Sequence, residues 1–146
     1  MNSLFFQPIE AAVTLSVIWI GLGVIGLAFM RAPRLITHAV FPAGALVSLL
    51  LAATGLWAIG ASPSTAILPA GLPDLPFHVR IDALSGFFLL LLGGVSCGIS
   101  LFAVGYFRAT DGTALGLLNL QYHVFLASMA FVLIADDAYL FMITWE

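Results

Sequence analysis

The chain has 146 residues, 62% of them hydrophobic and only 8% charged. A soluble domain averages about 45–50% apolar and about 25% charged residues, so a water-dissolved globule is excluded and the expected solvent is a lipid bilayer. The net charge of -3 includes four cations, Arg31, Arg34, Arg80 and Arg108, and no lysine. Without a basic run there is no footprint for nucleic acid. Cys97 is the single cysteine, so no internal disulfide and no cysteine-based metal or iron–sulfur centre is expected. No cofactor, no metal and no catalytic constellation is read from these residues.

The expected fold class is all-α: a polytopic transmembrane helical bundle, read as one membrane domain over residues 1–146. The first span covers residues 11–30, a run without formal charge that can cross about 30 Å of hydrocarbon at about 1.5 Å per residue. Glu10 precedes it instead of a cation, and the run is too long for the apolar part of a signal peptide, so a retained helix is expected. The second span covers residues 35–61, with a kink expected at Pro42. Residues 62–82 form a loop that holds four of the seven prolines. Its final part, from Phe77 to Asp82, alternates apolar and polar residues as a half-buried strand does, and residues 65–68 are its candidate hairpin partner.

The third span covers residues 83–107, with Asp82 at the N-cap position. After a polar turn at 108–113, the fourth covers residues 114–135. Asp136 and Asp137 punctuate the chain, and Asp137 is placed to cap a fifth helix over residues 138–146, read as incomplete. Arg31, Arg34 and Arg108 fall in the short turns, whereas Arg80 alone falls in the long loop. The positive-inside rule then puts the short turns in the cytoplasm and the loop outside.

Glu146 is the anomaly. Nine residues beyond Asp137, it stands about 13 Å further along the helix, and half of a bilayer core is about 15 Å. An acidic group at that depth costs about 2.5–3.5 kcal/mol on insertion scales and is a functional candidate by default. Burial raises a carboxyl pKa and a nearby cation lowers it, so such a group can take and release a proton. The competing reading is a glutamate satisfied by a helix-to-helix hydrogen bond. The depth also leads us to read the chain as the N-terminal part of a longer protein.

Two stretches resemble one family. The first is Val79-Arg-Ile-Asp82-Ala-Leu-Ser85-Gly-Phe-Phe88 with the later Gly105-Tyr106-Phe107. The second runs from Asn119 through Tyr122-His-Val-Phe125-Leu-Ala-Ser128-Met129 to Asp136-Asp-Ala138 and Trp145-Glu146. Together they are similar to the third, fourth and fifth helices of the antiporter-like proton-translocating subunits. These comprise the large membrane subunits of NADH–quinone oxidoreductase, subunits of cation/proton antiporters, and component B of hydrogenase-4 and formate hydrogenlyase. The wording around Asp82 and Ser128 resembles the hydrogenase-4 branch most. The resemblance implies a multi-pass protein of the bacterial inner membrane, with an external hairpin between helices two and three. Its partners would be the lipid bilayer, other membrane and peripheral subunits of a redox complex, and protons. It also implies that Glu146 matches a fifth-helix glutamate that pairs with a lysine on a later helix. This chain contains no lysine, so that partner would lie beyond residue 146.

Other polar residues divide between roles. His123 and Asn119, one turn apart on the fourth span with Gln121 nearby, can line a polar entrance from the cytoplasmic side or can pack helices through interhelical hydrogen bonds; packing is the favoured reading. His38 and His123, at similar depth, raise a haem-bearing quinone anchor as an alternative function, and a membrane anchor without transport is another. Gly94 and Gly98 form a G-x-x-x-G that we read as helix packing. Trp57 is expected in the external interfacial belt. Arg80 and Asp82 are close enough in the loop to pair.

Overall fold

A computed structural model describes residues 7–72, 74–107 and 114–146. The polar turn expected at 108–113 lies outside the described residues. Helix α1 spans Pro8–Ala28. Its start is closed by a capping box in which the Gln7 N–H donates to Glu10 Oε2 at 3.3 Å, satisfying donors that the first turn leaves free. Helix α2 spans Pro33–Gly60. It opens with the short turn Pro33–Leu35, widens to a π turn over Ile36–Val40 and continues as regular α-helix over Phe41–Gly60. Pro42 has no N–H to return to the carbonyl of His38. The chain meets the expected kink by widening the turn just before the proline, with Phe41 N–H donating to Ile36 O.

Strands β1 (Ser64–Leu72) and β2 (Leu75–Ile81) form the expected hairpin, antiparallel, with Thr65 opposite Arg80 and Leu68 opposite Phe77. The register shifts between Leu68 and Gly71, where a φ of 110° requires glycine. In β2 the alternation is real: Val79 and Ile81 are buried, His78 and Arg80 exposed. Helix α3 (Ala83–Tyr106) starts on Asp82, whose carboxylate accepts from the N–H groups of Leu84 and Ser85, each at 3.0 Å. Helix α4 spans Leu115–Ile134, and α5 spans Ala138–Trp145. Helices α1 to α4 are each long and apolar enough to cross a membrane.

The helices alternate in direction, so the start of α1, the end of α2, the hairpin, the start of α3 and the α4–α5 turn share one end. Val79, Ile81, Ile9, Ala58, Ile134 and Leu140 join one apolar core there, continuous with Trp19, Leu51 and Leu126 deeper in the bundle. Large apolar side chains such as Val24, Leu49, Val95 and Phe102 stay exposed on the outer faces, as a lipid-facing surface requires.

The tightest packing joins α2 to α3, and glycine sets it. A Cβ placed on Gly55 would lie 2.5 Å from Gly86 O, and one on Gly93 2.5 Å from both Ala52 N and Ser48 O. The two backbones therefore touch directly. This corrects the reading of Gly94 and Gly98: a Cβ on either would meet nothing. One residue step turns a helix by about 100°, so the buried glycine face is Gly86 and Gly93, and the G-x-x-x-G points outward.

Replacing Gly93 with Leu should therefore destabilise the chain by about 1–3 kcal/mol or more through overpacking, whereas Gly94→Leu should be nearly neutral. Equilibrium unfolding in detergent micelles measures both; equal losses would contradict the assigned face.

Candidate functional site

Three groups of polar residues come out of this frame. The first is a seam inside the bundle, built on α4. Asn119 and His123 are fully buried and lie one turn apart, as the spacing predicts. The Asn119 carboxamide Nδ2 donates across to the Leu22 carbonyl of α1 at 3.0 Å, and Gly26 of α1 leaves the space that this side chain fills. His123 Nδ1 lies 3.0 Å from Asn119 O. A carbonyl can only accept, so Nδ1 carries the proton and Nε2 is a bare acceptor. That acceptor faces Gly44 of α2, where a Cβ would come within 2.6 Å of it. Gln121 is exposed, so the structure removes it from this group.

Tyr122, not singled out by the sequence reading, ties the seam to α3. Its hydroxyl donates to Ser96 O at 3.1 Å and lies 2.9 Å from Ser100 Oγ. The phenol has one proton, so with that proton on Ser96 O the Ser100 hydroxyl is the donor to Tyr122 Oη. Phe41 covers both rings, with centroids 6.1 Å from Tyr122 and 6.2 Å from His123. Asn119 Oδ1, His123 Nε2 and Trp19 Nε1 are buried without a hydrogen-bond partner among the described residues. The signal for Tyr122 was present in Asn119-x-x-Tyr122-His123 and in the i, i+4 pair Ser96/Ser100, polar residues on facing helices.

The haem-bearing alternative does not fit these residues. His38 is exposed, with Nδ1 near Arg34 O and Thr37 Oγ1. His123 presents its free nitrogen to backbone that leaves no room for a methyl group, still less a porphyrin.

The second group is Glu146. It is exposed and closes α5, its N–H donating to Met142 O at 3.2 Å. The described ion pairs are Arg80–Asp82 and His78–Asp137, and neither involves it. The structure does not bring Glu146 together with Asn119 and His123, which face α1 and α2.

The third group is at the hairpin end. Asp137 caps α5, with Oδ1 accepting from Leu140 N–H at 2.7 Å, as expected. Its Oδ2 accepts from His78 N–H, also at 2.7 Å, a contact across 59 residues that local pattern could not show. The His78 carbonyl accepts from Asp136 N–H at 3.0 Å, and Val79 pairs with Ala135 as an isolated bridge. His78 Nδ1 stands 3.7 Å from Asp137 Oδ2. For Asp137, partial burial pushes the pKa up, but the N–H donors of Leu140 and His78 and the His78 side chain outweigh it and hold it below the usual range. The Ser85 N–H likewise holds the Asp82 carboxyl low, with help from Arg80. That arginine pairs with it at 3.5 Å, an exposed contact of small worth.

No protein-family model matches the chain. Curated relatives match part of it. NADH-quinone oxidoreductase subunit L of Mycobacterium tuberculosis (strains CDC 1551 / Oshkosh and ATCC 25618 / H37Rv) is 38% identical over 81 residues, which is 54% of this chain and 12% of the relative. Hydrogenase-4 component B of Escherichia coli (strain K12) is 29% identical over 68 residues, 47% of this chain and 10% of the relative. The matched stretch is thus about an eighth or less of either relative's length. Both names fall within the antiporter-like group that the motifs resemble, and the chain is a partial homologue of each. With its four spanning helices it is a multi-pass protein of the cell membrane.

Two outcomes follow from this geometry. Tyr122→Phe and Ser100→Ala should couple by about 0.6 kcal/mol, and by no more than about 1.7 kcal/mol, in a double-mutant cycle of unfolding in micelles. Both Asp82 and Asp137 have lowered folded-state pKa values. Their caps therefore stabilise the fold above the ordinary carboxyl pKa and lose that contribution as pH falls through the lowered value. Protection of the Ser85 and Leu140 amides, read as the intrinsic exchange rate at each pH divided by the observed one, should hold from neutral pH downward and fall only below about pH 4; a fall already near pH 6 would contradict these caps.

Proposed function

We propose that this chain is part of a proton-translocating membrane subunit of a respiratory redox complex, in which electron transfer elsewhere drives proton movement through the membrane. The partial homology to a NADH-quinone oxidoreductase subunit and a hydrogenase component supports membership of that kind of assembly. The observation that carries the proton role is the placement of Glu146. Asp137 fixes the start of α5 at the hairpin end, and Glu146 follows about 13 Å along the helix, against about 15 Å for half of the hydrocarbon core.

In this reading Glu146 holds the proton. A cation contributed from outside residues 1–146 pairs with its carboxylate. Approach of that cation expels the proton and its withdrawal lets a proton return, which is the elementary step of a charge-coupled pump. Residues 1–146 are then one part of the full subunit, with lipid, neighbouring subunits and protons as partners. Asn119 and His123 serve helix packing: the Nδ1–H of His123 is used within α4, its Nε2 is sealed against Gly44, and Asn119 is spent on α1.

The test is Glu146→Gln in the full-length subunit within its complex. Coupled proton uptake in inverted vesicles should fall by about tenfold or more, in line with removal of one essential proton carrier, while electron transfer by the redox partner persists. Glu146→Asp should retain part of the coupling. Unchanged coupling in Glu146→Gln would leave a membrane anchor without transport as the correct reading.

A further inference from the structure

The hairpin does more than cover the end of the bundle. In β2, the outer edge of His78 is occupied by the α4–α5 turn: its N–H goes to Asp137 Oδ2 and its carbonyl receives Asp136 N–H. The isolated Val79–Ala135 bridge extends this contact between the turn and β2 by one residue. Phe77 packs on Tyr139, centroids 5.6 Å apart, one residue inside α5. Asp137 is the joint, because one carboxylate oxygen holds the hairpin and the other holds the first turn of α5. Apart from that first turn, where Leu140 is buried, α5 is largely exposed along Phe141, Met142, Ile143 and Trp145.

From this geometry we propose that Asp137 is a positioning residue: its clamp on the His78 backbone sets the axial depth of α5 and hence of Glu146. The proposal rests on the proton-carrying role given to Glu146 above. An eight-residue helix is too short to hold itself in place by intrinsic propensity, and within residues 1–146 its axial register comes from its N-terminal attachment. Releasing the clamp while keeping the cap lets α5 slide or tilt and brings Glu146 toward water.

The test separates backbone from side chain and cap from clamp. Asp137→Asn keeps one oxygen for Leu140 N–H but offers an amide where Oδ2 accepted. His78→Pro removes the N–H, and His78→Ala keeps it. In the full-length subunit in native membranes, labelling of Glu146 by a water-soluble and by a membrane-soluble carbodiimide is read by mass spectrometry, alongside the inserted amount. The water-soluble to membrane-soluble ratio should rise about fivefold or more in Asp137→Asn and His78→Pro, and should match the parent in His78→Ala. An unchanged ratio in both clamp variants, a rise in His78→Ala equal to that in His78→Pro, or failure of both clamp variants to insert overturns the proposal. If the parent's Glu146 reacts chiefly with the water-soluble reagent, the proton-carrying reading itself fails. If the parent behaves as expected and the clamp variants do not differ from it, only the positioning role fails.

Discussion

Hydrocarbon offers backbone groups no hydrogen-bond partners, and lipid tails are as apolar as leucine. Apolar side chains therefore gain little by meeting one another, and helices associate where they come closest. That constraint organises this bundle. Backbone rests on backbone where Gly55, Gly86 and Gly93 bring α2 to α3. Gly23 and Gly26 open α1 to the side chains of α4, and Gly44 does the same for His123 from α2. Each of these glycines is matched by a polar or bulky side chain, or by bare backbone, on the next helix. The serines and threonines inside the spans mostly return their hydroxyls to their own helix, as Ser16, Ser48 and Thr54 do. They satisfy themselves without holding neighbours together.

Against that background the interhelical hydrogen bonds are few and specific. Asn119 reaches α1 and Tyr122 reaches α3, so α4 is the helix that cross-links the others. At the hairpin end the logic changes, because carboxylates and strand edges become available. Asp82 and Asp137 close helix starts, and the hairpin seals the core under Val79 and Ile81. The membrane part is thus held by shape and the end by charge-assisted hydrogen bonds. The feature given a transport role, Glu146, sits on the element that joins the two regimes.

Much of this was legible in the residues. Uncharged runs marked the spans to within a few positions. The alternation from Phe77 to Asp82 marked the strand, and Asp82 and Asp137 marked their helix starts. Asn119 and His123 were readable as one face. What failed was whatever depends on rotation between helices. Gly94 and Gly98 offered a familiar spacing but stand on the outer face, while Gly93, one step away, is the buried one. Gln121 was near in sequence and opposite in space. The clamp between His78 and Asp137 joins positions whose spacing carries no periodic signal, and Tyr122 was overlooked because an aromatic ring in an apolar run reads as packing until its hydroxyl finds a partner.

The widened turn over Ile36–Val40 has a consequence for how the chain tolerates change. A π turn houses one residue more than regular helix needs. It lies between the Arg31–Arg34 end and the contacts that fix α2, at Gly44 and Gly55. A single-residue deletion there can convert the bulge to ordinary helix while everything from Phe41 onward keeps its bearings. That stretch acts as slack in the line, absorbing length differences on the Arg31 side before they reach the seam around His123.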